Sequence, residues 1–183
     1  MDRVVIFIDG SNFYHNLVAH GFPKNVDFSK FSKILCGDDR HLIRTYYYNI
    51  IYDQSEDPNR YKRQQIFLNN IRRTPYLEFR AGALQKKSKE CPHCKKLDNY
   101  HVEKGVDVSI AVDMLSMANN NRYDTAILVS SDGDLARACQ EVKNLMKHIE
   151  NAYFKDGSSW HLLNICDRAI LIDRELIDKC LRT

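Results

Sequence analysis

Two apolar segments of this chain each lead into aspartate residues. Val4–Ile8 runs directly into Asp9, and Ala126–Val129 is followed, after two serines, by Asp132 and Asp134. If both segments are buried strands of a parallel sheet, their acids gather at its carboxyl edge, where ligands bind in open α/β sheets. Clustered carboxylates repel one another unless a hard cation such as Mg²⁺ or Mn²⁺ neutralises them. The pattern therefore predicts a divalent-cation site.

A third acid, Asp107, stands at the start of a helix that precedes the second of these strands. Mg²⁺ usually binds through one or two carboxylates, waters and substrate phosphate oxygens, and a cation so held polarises phosphate and activates water. Asn12, just after Asp9, is a candidate for orienting substrate or a metal-bound water. An aspartate beside a strand or helix is also a common turn former or cap. Two strand-end acids together with Asp107 favour a metal site, for which the candidate ligands are Asp9, Asp107, Asp132 and Asp134.

Strand-like and helix-like segments alternate along the chain, which predicts an α/β fold. Ser11 is expected to cap a first helix over about 12–20. The architecture we expect is a three-layer sandwich with a central, mostly parallel sheet of five to six strands. Residues 1–183 form one domain, interrupted at about 86–101 by a cysteine-containing loop or hairpin insertion. Strands are predicted near 3–8, 42–51, 76–84, 124–131, 149–154 and 169–172.

Positive charge is concentrated in one segment of the chain. Residues 58–104 contain twelve Lys and Arg but four acids, so this segment carries +8 although the whole chain carries only +3. Such asymmetry favours a nucleic acid as partner, because basic side chains contact backbone phosphates independently of sequence. The alternative is a solvated helix face. The candidate RNA-binding residues are Arg60, Lys62, Arg63, Arg72, Arg73 and Lys104.

Within the insertion, Cys91 and Cys94 have the spacing of one half of a zinc site. Structural Zn²⁺ needs four ligands, which His93, His101 or a second copy of the chain in a homodimer would have to supply. A redox pair and two spectator thiols are the alternatives. The four other cysteines lie in apolar surroundings and are expected in the core.

No apolar run approaches the roughly 20 residues that cross a bilayer, and no basic-then-apolar leader begins the chain. We therefore expect a cytoplasmic protein that does not enter the membrane.

Four stretches of this sequence together resemble the NYN domain, a branch of the PIN-like nucleases. They are 7–12 (Phe-Ile-Asp-Gly-Ser-Asn), 104–115 (with Lys-Gly-Val-Asp-Val), 123–135 (ending Ser-Ser-Asp-Gly-Asp-Leu) and 166–169. The resemblance implies a parallel sheet, a divalent-cation site at its carboxyl edge and ribonuclease activity. It assigns metal or catalytic roles to Asp9, Asp107 and Asp132, with Asp134 and Asn12 in support.

The sequence thus predicts a metal-dependent ribonuclease that hydrolyses phosphodiester bonds, with single-stranded RNA as the expected substrate. One alternative is a catalytically weak RNA-binding or scaffold module with the same fold. Another is a phosphatase for small phosphoesters, which the long basic segment disfavours because a small substrate needs no cationic track.

Overall fold

The computed structural model describes residues 1–90 and 92–182, with side chains described outside 85–87 and 98–103. Strands and helices alternate along most of the chain, as predicted. The strands are β1 (Arg3–Asp9), β2 (His41–Ile50), β3 (Leu77–Glu90), β4 (Leu97–Lys104), β5 (Thr125–Val129), β6 (His148–Tyr153) and β7 (Arg168–Leu171). The α-helices are α1 (Gly10–Ala19), α2 (Phe28–Cys36), α3 (Pro58–Arg73), α4 (Val106–Asn119), α5 (Ala136–Asn144), α6 (Trp160–Ile165) and α7 (Arg174–Lys179).

One sheet runs through the molecule in the order β4-β3-β2-β1-β5-β6-β7. All neighbouring pairs are parallel except β3 and β4, which form an antiparallel hairpin. The predicted parallel sheet is therefore confirmed, and the hairpin adds a seventh strand. The chain builds outward from β1 to β4 on one side and then returns to place β5 on the other. The crevice between the ends of β1 and β5 is thus the topological switch point, where ligands bind in such sheets.

The two faces of β1 build two hydrophobic cores. Val4, Ile6 and Ile8 face one layer, which holds α1, α2, α3 and α7, while Val5 and Phe7 face the other, which holds α4, α5 and α6. All five side chains are buried. A continuous apolar run is what a strand covered on both faces requires, and it fixes β1 at the centre of the sheet.

Several helices begin at a side chain that caps their first turn. Asp27, Asp57 and Asp173 accept hydrogen bonds from the first-turn N–H groups of α2, α3 and α7. The prediction that Ser11 caps the first helix is wrong. The helix begins one residue earlier, at Gly10, and Asp9 is its cap, because the aspartate that ends β1 already accepts the N–H of Asn12.

Two ion pairs hold acids on or beside the central strands. On β6, Glu150 is buried, and one of its oxygens lies 2.8 Å from Nη1 of Arg40. Before β5, Asp124 Oδ2 accepts hydrogen bonds at 2.9 Å from both the backbone N–H and Nε of Arg3. These hydrogen bonds hold the pKa of Asp124 well below its ordinary value.

Among the residues described, no helix combines the length and the apolar character that crossing a membrane requires.

Candidate active site

Asp9, the last residue of β1, is almost entirely buried, with 5% of its surface exposed. Its carboxylate accepts hydrogen bonds from the N–H of Asn12 at 3.0 Å and from Oγ of Ser130 at 3.3 Å. Burial raises the pKa of Asp9 from 3.8 to about 6, and the negative charges of Asp107 and Asp132 add to this effect. The two hydrogen bonds act in the opposite direction but do not offset the burial. A cation beside this carboxylate would relieve both the burial and the repulsion.

The ends of β1 and β5 are joined by side chains. Ser130 donates to Asp9, and its Oγ accepts the N–H of Asp132 at 3.1 Å. In the other direction, the N–H of Ser131 donates to Oδ1 of Asn12 at 3.1 Å. Asn12 therefore has a positioning role in this structure, in addition to the substrate contact expected from the sequence.

Asp132 is half-buried and starts the short 3₁₀ helix Gly133–Leu135, because its Oδ1 accepts the N–H of Asp134 at 2.9 Å. Asp134 is exposed, and it is absent from the lining of the cavity described next, which Asp132 lines. The two carboxylates of this motif are therefore separated, and Asp132 is the one beside Asp9.

Asp107 approaches the same place from a third element. It lies in the first turn of α4, whose start is set by Gly105 in a left-handed conformation with φ of 82°. A cavity of about 310 Å³ lies between these elements. It is lined by Asp9, Ser11, Asn12, His15, Asn16, Gly105, Val106, Asp107 and Asp132. The three acids predicted from the sequence thus share one cavity at the switch point of the sheet.

His15 is a cavity residue that the sequence does not single out, since a lone histidine carries no ligand spacing. It lies on α1 one turn after Asn12, and residues three apart share a face of a helix. Once Asn12 is assigned to the site, the three-residue spacing between Asn12 and His15 is the sequence feature that could have indicated His15.

The donor atoms in this cavity suit a hard cation. They are carboxylate and amide oxygens, which Mg²⁺ and Mn²⁺ prefer. Next to Asp132, the buried Oγ of Ser131 has no hydrogen-bond partner among the described residues. Among all the residues that the structure describes, no three His, Cys, Asp or Glu side chains form a group that could hold a metal ion by themselves. The acids instead surround a space, an arrangement that fits a cation keeping several waters.

The zinc prediction falls partly outside the described side chains, which include neither Cys91 nor His101. Cys94 is an exposed free thiol, and His93 is exposed as well. The zinc site and the homodimer that would complete it stay predictions, which elemental analysis and mass measurement in solution can test.

The structure divides the predicted RNA-binding residues into groups. Arg60 and Arg63, near the start of α3, line a second cavity, which shares Ser11 and His15 with the acid cavity. Lys62 is exposed and lines neither cavity. At the other end of α3, Arg72 packs on the ring of Phe79, and Arg73 lines a separate cavity with Asp27 and Arg182. Lys104 is exposed directly before Gly105 of the acid cavity.

Comparison with known proteins gives three likenesses. A family model described as the NYN domain matches residues 3–173. The chain is 25% identical over 182 residues to the low amplitude and bright protein LabA of Synechococcus elongatus, covering 97% of this chain and 88% of LabA. Its fold is similar to the crystal structure of a protein of unknown function from Vibrio parahaemolyticus, with a TM-score of 0.65 and 20% identity. That match covers 99% of this chain and 96% of the other.

Proposed function

Because this chain belongs to the NYN domain family, which is generally nuclease-like, we propose that it is a metal-dependent ribonuclease that hydrolyses single-stranded RNA. The observation that carries the proposal is the acid cavity. Three acids from separate elements, Asp9, Asp107 and Asp132, line one cavity. That cavity lies at the carboxyl edge of the sheet, at the switch point between β1 and β5. A scaffold that only binds RNA gains nothing from a buried carboxylate beside two other acids.

Asp9, Asp107 and Asp132 would hold Mg²⁺ or Mn²⁺. When bound, such a cation neutralises charge on a phosphate and activates water for attack on phosphorus. Holding the strand belongs to other residues. His15 lines both cavities, where its imidazole can donate a hydrogen bond to a phosphate oxygen, and Arg60 and Arg63 supply positive charge next to it. The Asn12 amide keeps the end of β5 against α1, so the acids approach a bound phosphate in a fixed arrangement.

The test is cleavage of a labelled single-stranded RNA with Mn²⁺ or Mg²⁺, compared with the same reaction in EDTA. Asp132→Asn should lower the metal-dependent rate by at least about a hundredfold, because even groups that only support metal ligands change activity 10- to 100-fold. The matched control is Asp39→Asn. Asp39 is an exposed acid just before β2, at the opposite edge of the sheet, and its variant should cleave like the wild type.

Unchanged cleavage by Asp132→Asn would refute this site. Salt-dependent RNA binding without metal-dependent cleavage by the wild type would instead identify an RNA-binding module. Turnover of p-nitrophenyl phosphate but not RNA would identify a small-molecule phosphatase.

A further inference from the structure

Beside the acid cavity lies a second cavity of about 360 Å³ with a different chemistry. Its volume falls within the range of about 300–1,000 Å³ found for small-molecule sites. The residues lining it are Ser11, Tyr14, His15, Lys24, Tyr47, Asn49, Tyr52, Arg60, Arg63, Gln64 and Phe67. Ser11 and His15 also line the acid cavity, so the two cavities are adjacent.

The charges of the two cavities are opposite. Lys24, Arg60 and Arg63 bring positive charge to the second cavity, and its lining contains no Asp or Glu. The first cavity is lined by three aspartates and no Lys or Arg. The second cavity therefore suits an anionic group, and the acid cavity beside it suits a cation.

Two walls of the second cavity pair an aromatic ring with a cation. Nζ of Lys24 lies 5.4 Å from the centre of the Tyr14 ring. The guanidinium of Arg60 lies 3.8 Å from the centre of the Tyr52 ring, and Nη2 of Arg60 donates to the Tyr52 hydroxyl at 2.8 Å. Exposed tyrosine rings and arginine planes are the surfaces on which unpaired bases stack, and the cations beside them suit the attached phosphate.

Buried side chains hold the second cavity in shape. Nε2 of Gln64 donates to the carbonyl of Ile50 at 2.8 Å, and its Oε1 accepts the N–H of Tyr52 at 2.9 Å. Gln64 thereby fixes the segment after β2 against α3 and sets the position of the Tyr52 wall. Tyr47 is buried and its hydroxyl donates to the carbonyl of Gly10 at 3.4 Å, which ties this lining to the start of α1.

We propose that this second cavity binds one unpaired nucleotide of the RNA strand, adjacent to the phosphate that meets the acids. This inference rests on the proposed function and adds to it a subsite for the base and phosphate of the flanking nucleotide. A base in a duplex stays stacked in the helix, and extruding it costs free energy. The subsite therefore makes the protein select single-stranded RNA.

The test measures binding of AMP by isothermal titration calorimetry, in EDTA so that the acid cavity contributes no metal contact. Tyr14→Leu should weaken AMP binding about tenfold, because it removes an aromatic ring on which the base can stack. Arg63→Ala should weaken it about as much, because it removes a cation that can pair with the phosphate. Tyr14→Phe, which keeps the ring, should restore binding. Lys62→Ala is the matched control: it removes the adjacent, exposed cation that does not line the cavity, and should change binding less than twofold. Because Tyr14, Lys62 and Arg63 are all exposed, these variants should unfold at the wild-type temperature.

Two further probes separate the parts of the nucleotide. Adenosine should be sensitive to Tyr14→Leu and indifferent to Arg63→Ala, and inorganic phosphate should show the reverse. Equal AMP binding by wild type, Arg63→Ala and Tyr14→Leu would overturn the proposal. Equal losses with Lys62→Ala and Arg63→Ala would also overturn it, since they would show general charge attraction.

Because AMP binding needs no catalysis, the two proposals can fail separately. AMP binding that depends on Tyr14 and Arg63, in a protein that never cleaves RNA, would refute the ribonuclease and leave the nucleotide site intact. Metal-dependent RNA cleavage that is unaffected by Tyr14→Leu and Arg63→Ala would leave the ribonuclease and refute the subsite.

Discussion

The substitution Asp9→Asn should stabilise this protein at neutral pH. Asparagine keeps the shape of the side chain and an oxygen for the N–H of Asn12, but removes the buried charge. Because the pKa of Asp9 is about 6 in the folded chain and 3.8 ordinarily, the native state binds this proton more tightly than the unfolded state. The ionised carboxylate therefore costs folding free energy wherever the pH is above both values.

The size of the effect follows from the two pKa values. The gap between 3.8 and about 6 is worth about 3 kcal/mol. Ser130 loses its carboxylate acceptor in the variant, and a hydrogen bond of this kind contributes about 1 kcal/mol. A net gain of about 2 kcal/mol remains at pH 7.5, which for a chain of this length raises the melting temperature by roughly 5 °C.

The sign of the effect depends on pH. Below 3.8, Asp9 is protonated in both states and the wild type keeps its full stability. That stability is lost as the pH rises through about 6. The advantage of Asp9→Asn should therefore be present at pH 7.5 and absent at pH 4, where the lost Ser130 bond makes the variant slightly less stable than the wild type.

The assay is unfolding followed by circular dichroism at pH 4 and pH 7.5, with EDTA so that no cation contributes. Asp124→Asn is the matched control of opposite sign. Hydrogen bonds from Arg3 lower the pKa of Asp124, so that variant should be less stable than the wild type at pH 7.5. A gain for Asp9→Asn that is equal at both pH values would show that packing rather than charge is responsible. No gain at pH 7.5 would refute the reasoning outright.

Three further substitutions test other features of the structure. Gly10→Ala should destabilise the fold by about 1–3 kcal/mol in chemical denaturation, because a methyl group there overlaps the buried Tyr47 ring; wild-type stability would show that the ring has room to move. Arg40→Met should cost about 3 kcal/mol by removing the nearer of the two cations beside the buried Glu150 and leaving only Arg168, at 3.9 Å. Adding Glu150→Gln should recover part of the loss; a cost that the second change does not reduce would exclude the ion pair as its cause. Asp134→Ala should lower metal-dependent RNA cleavage less than about tenfold, since its side chain is exposed and outside the acid cavity; a loss as large as that of Asp132→Asn would place it among the metal ligands.

The acid site could be predicted because its signal lies in the order of the sequence. An apolar run long enough for a strand buried on both faces, followed at once by an acid, indicates a parallel strand and the edge at which it ends. Asp9 follows its apolar run directly and Asp132 follows its run after two serines, and parallel pairing of β1 with β5 brings the carboxyl ends of the two strands together. The N-cap was missed because Asp9 and Ser11 are both good caps, and only the backbone shows which one accepts the first-turn N–H.

The rest of the site depends on information that the sequence does not carry. Total charge indicates a basic segment, but not that Arg60 and Arg63 lie beside the acids while Arg73 lines another cavity with Asp27. That division depends on how α3 crosses the sheet. For the insertion at about 86–101 the sequence left a loop and a hairpin open, and the structure has the β3–β4 hairpin. Residues 88–90, at the outer end of β3, are polar or charged and all exposed. Their sequence therefore shows no alternation of apolar and polar side chains that would indicate a strand.

The place of β1 in the sheet also bears on how the chain matures. Ser130 and Asp9, which join the two strand ends, are 121 positions apart, an interval that takes about 6 to 24 seconds to synthesise at typical translation rates. Until β5 leaves the ribosome, one edge of the central strand has no partner, and an unpaired apolar strand edge invites aggregation. The acids meet only when this gap closes. A nascent chain therefore carries the hazard of an open strand edge before it has the acid cavity, which forms only when β5 pairs with β1.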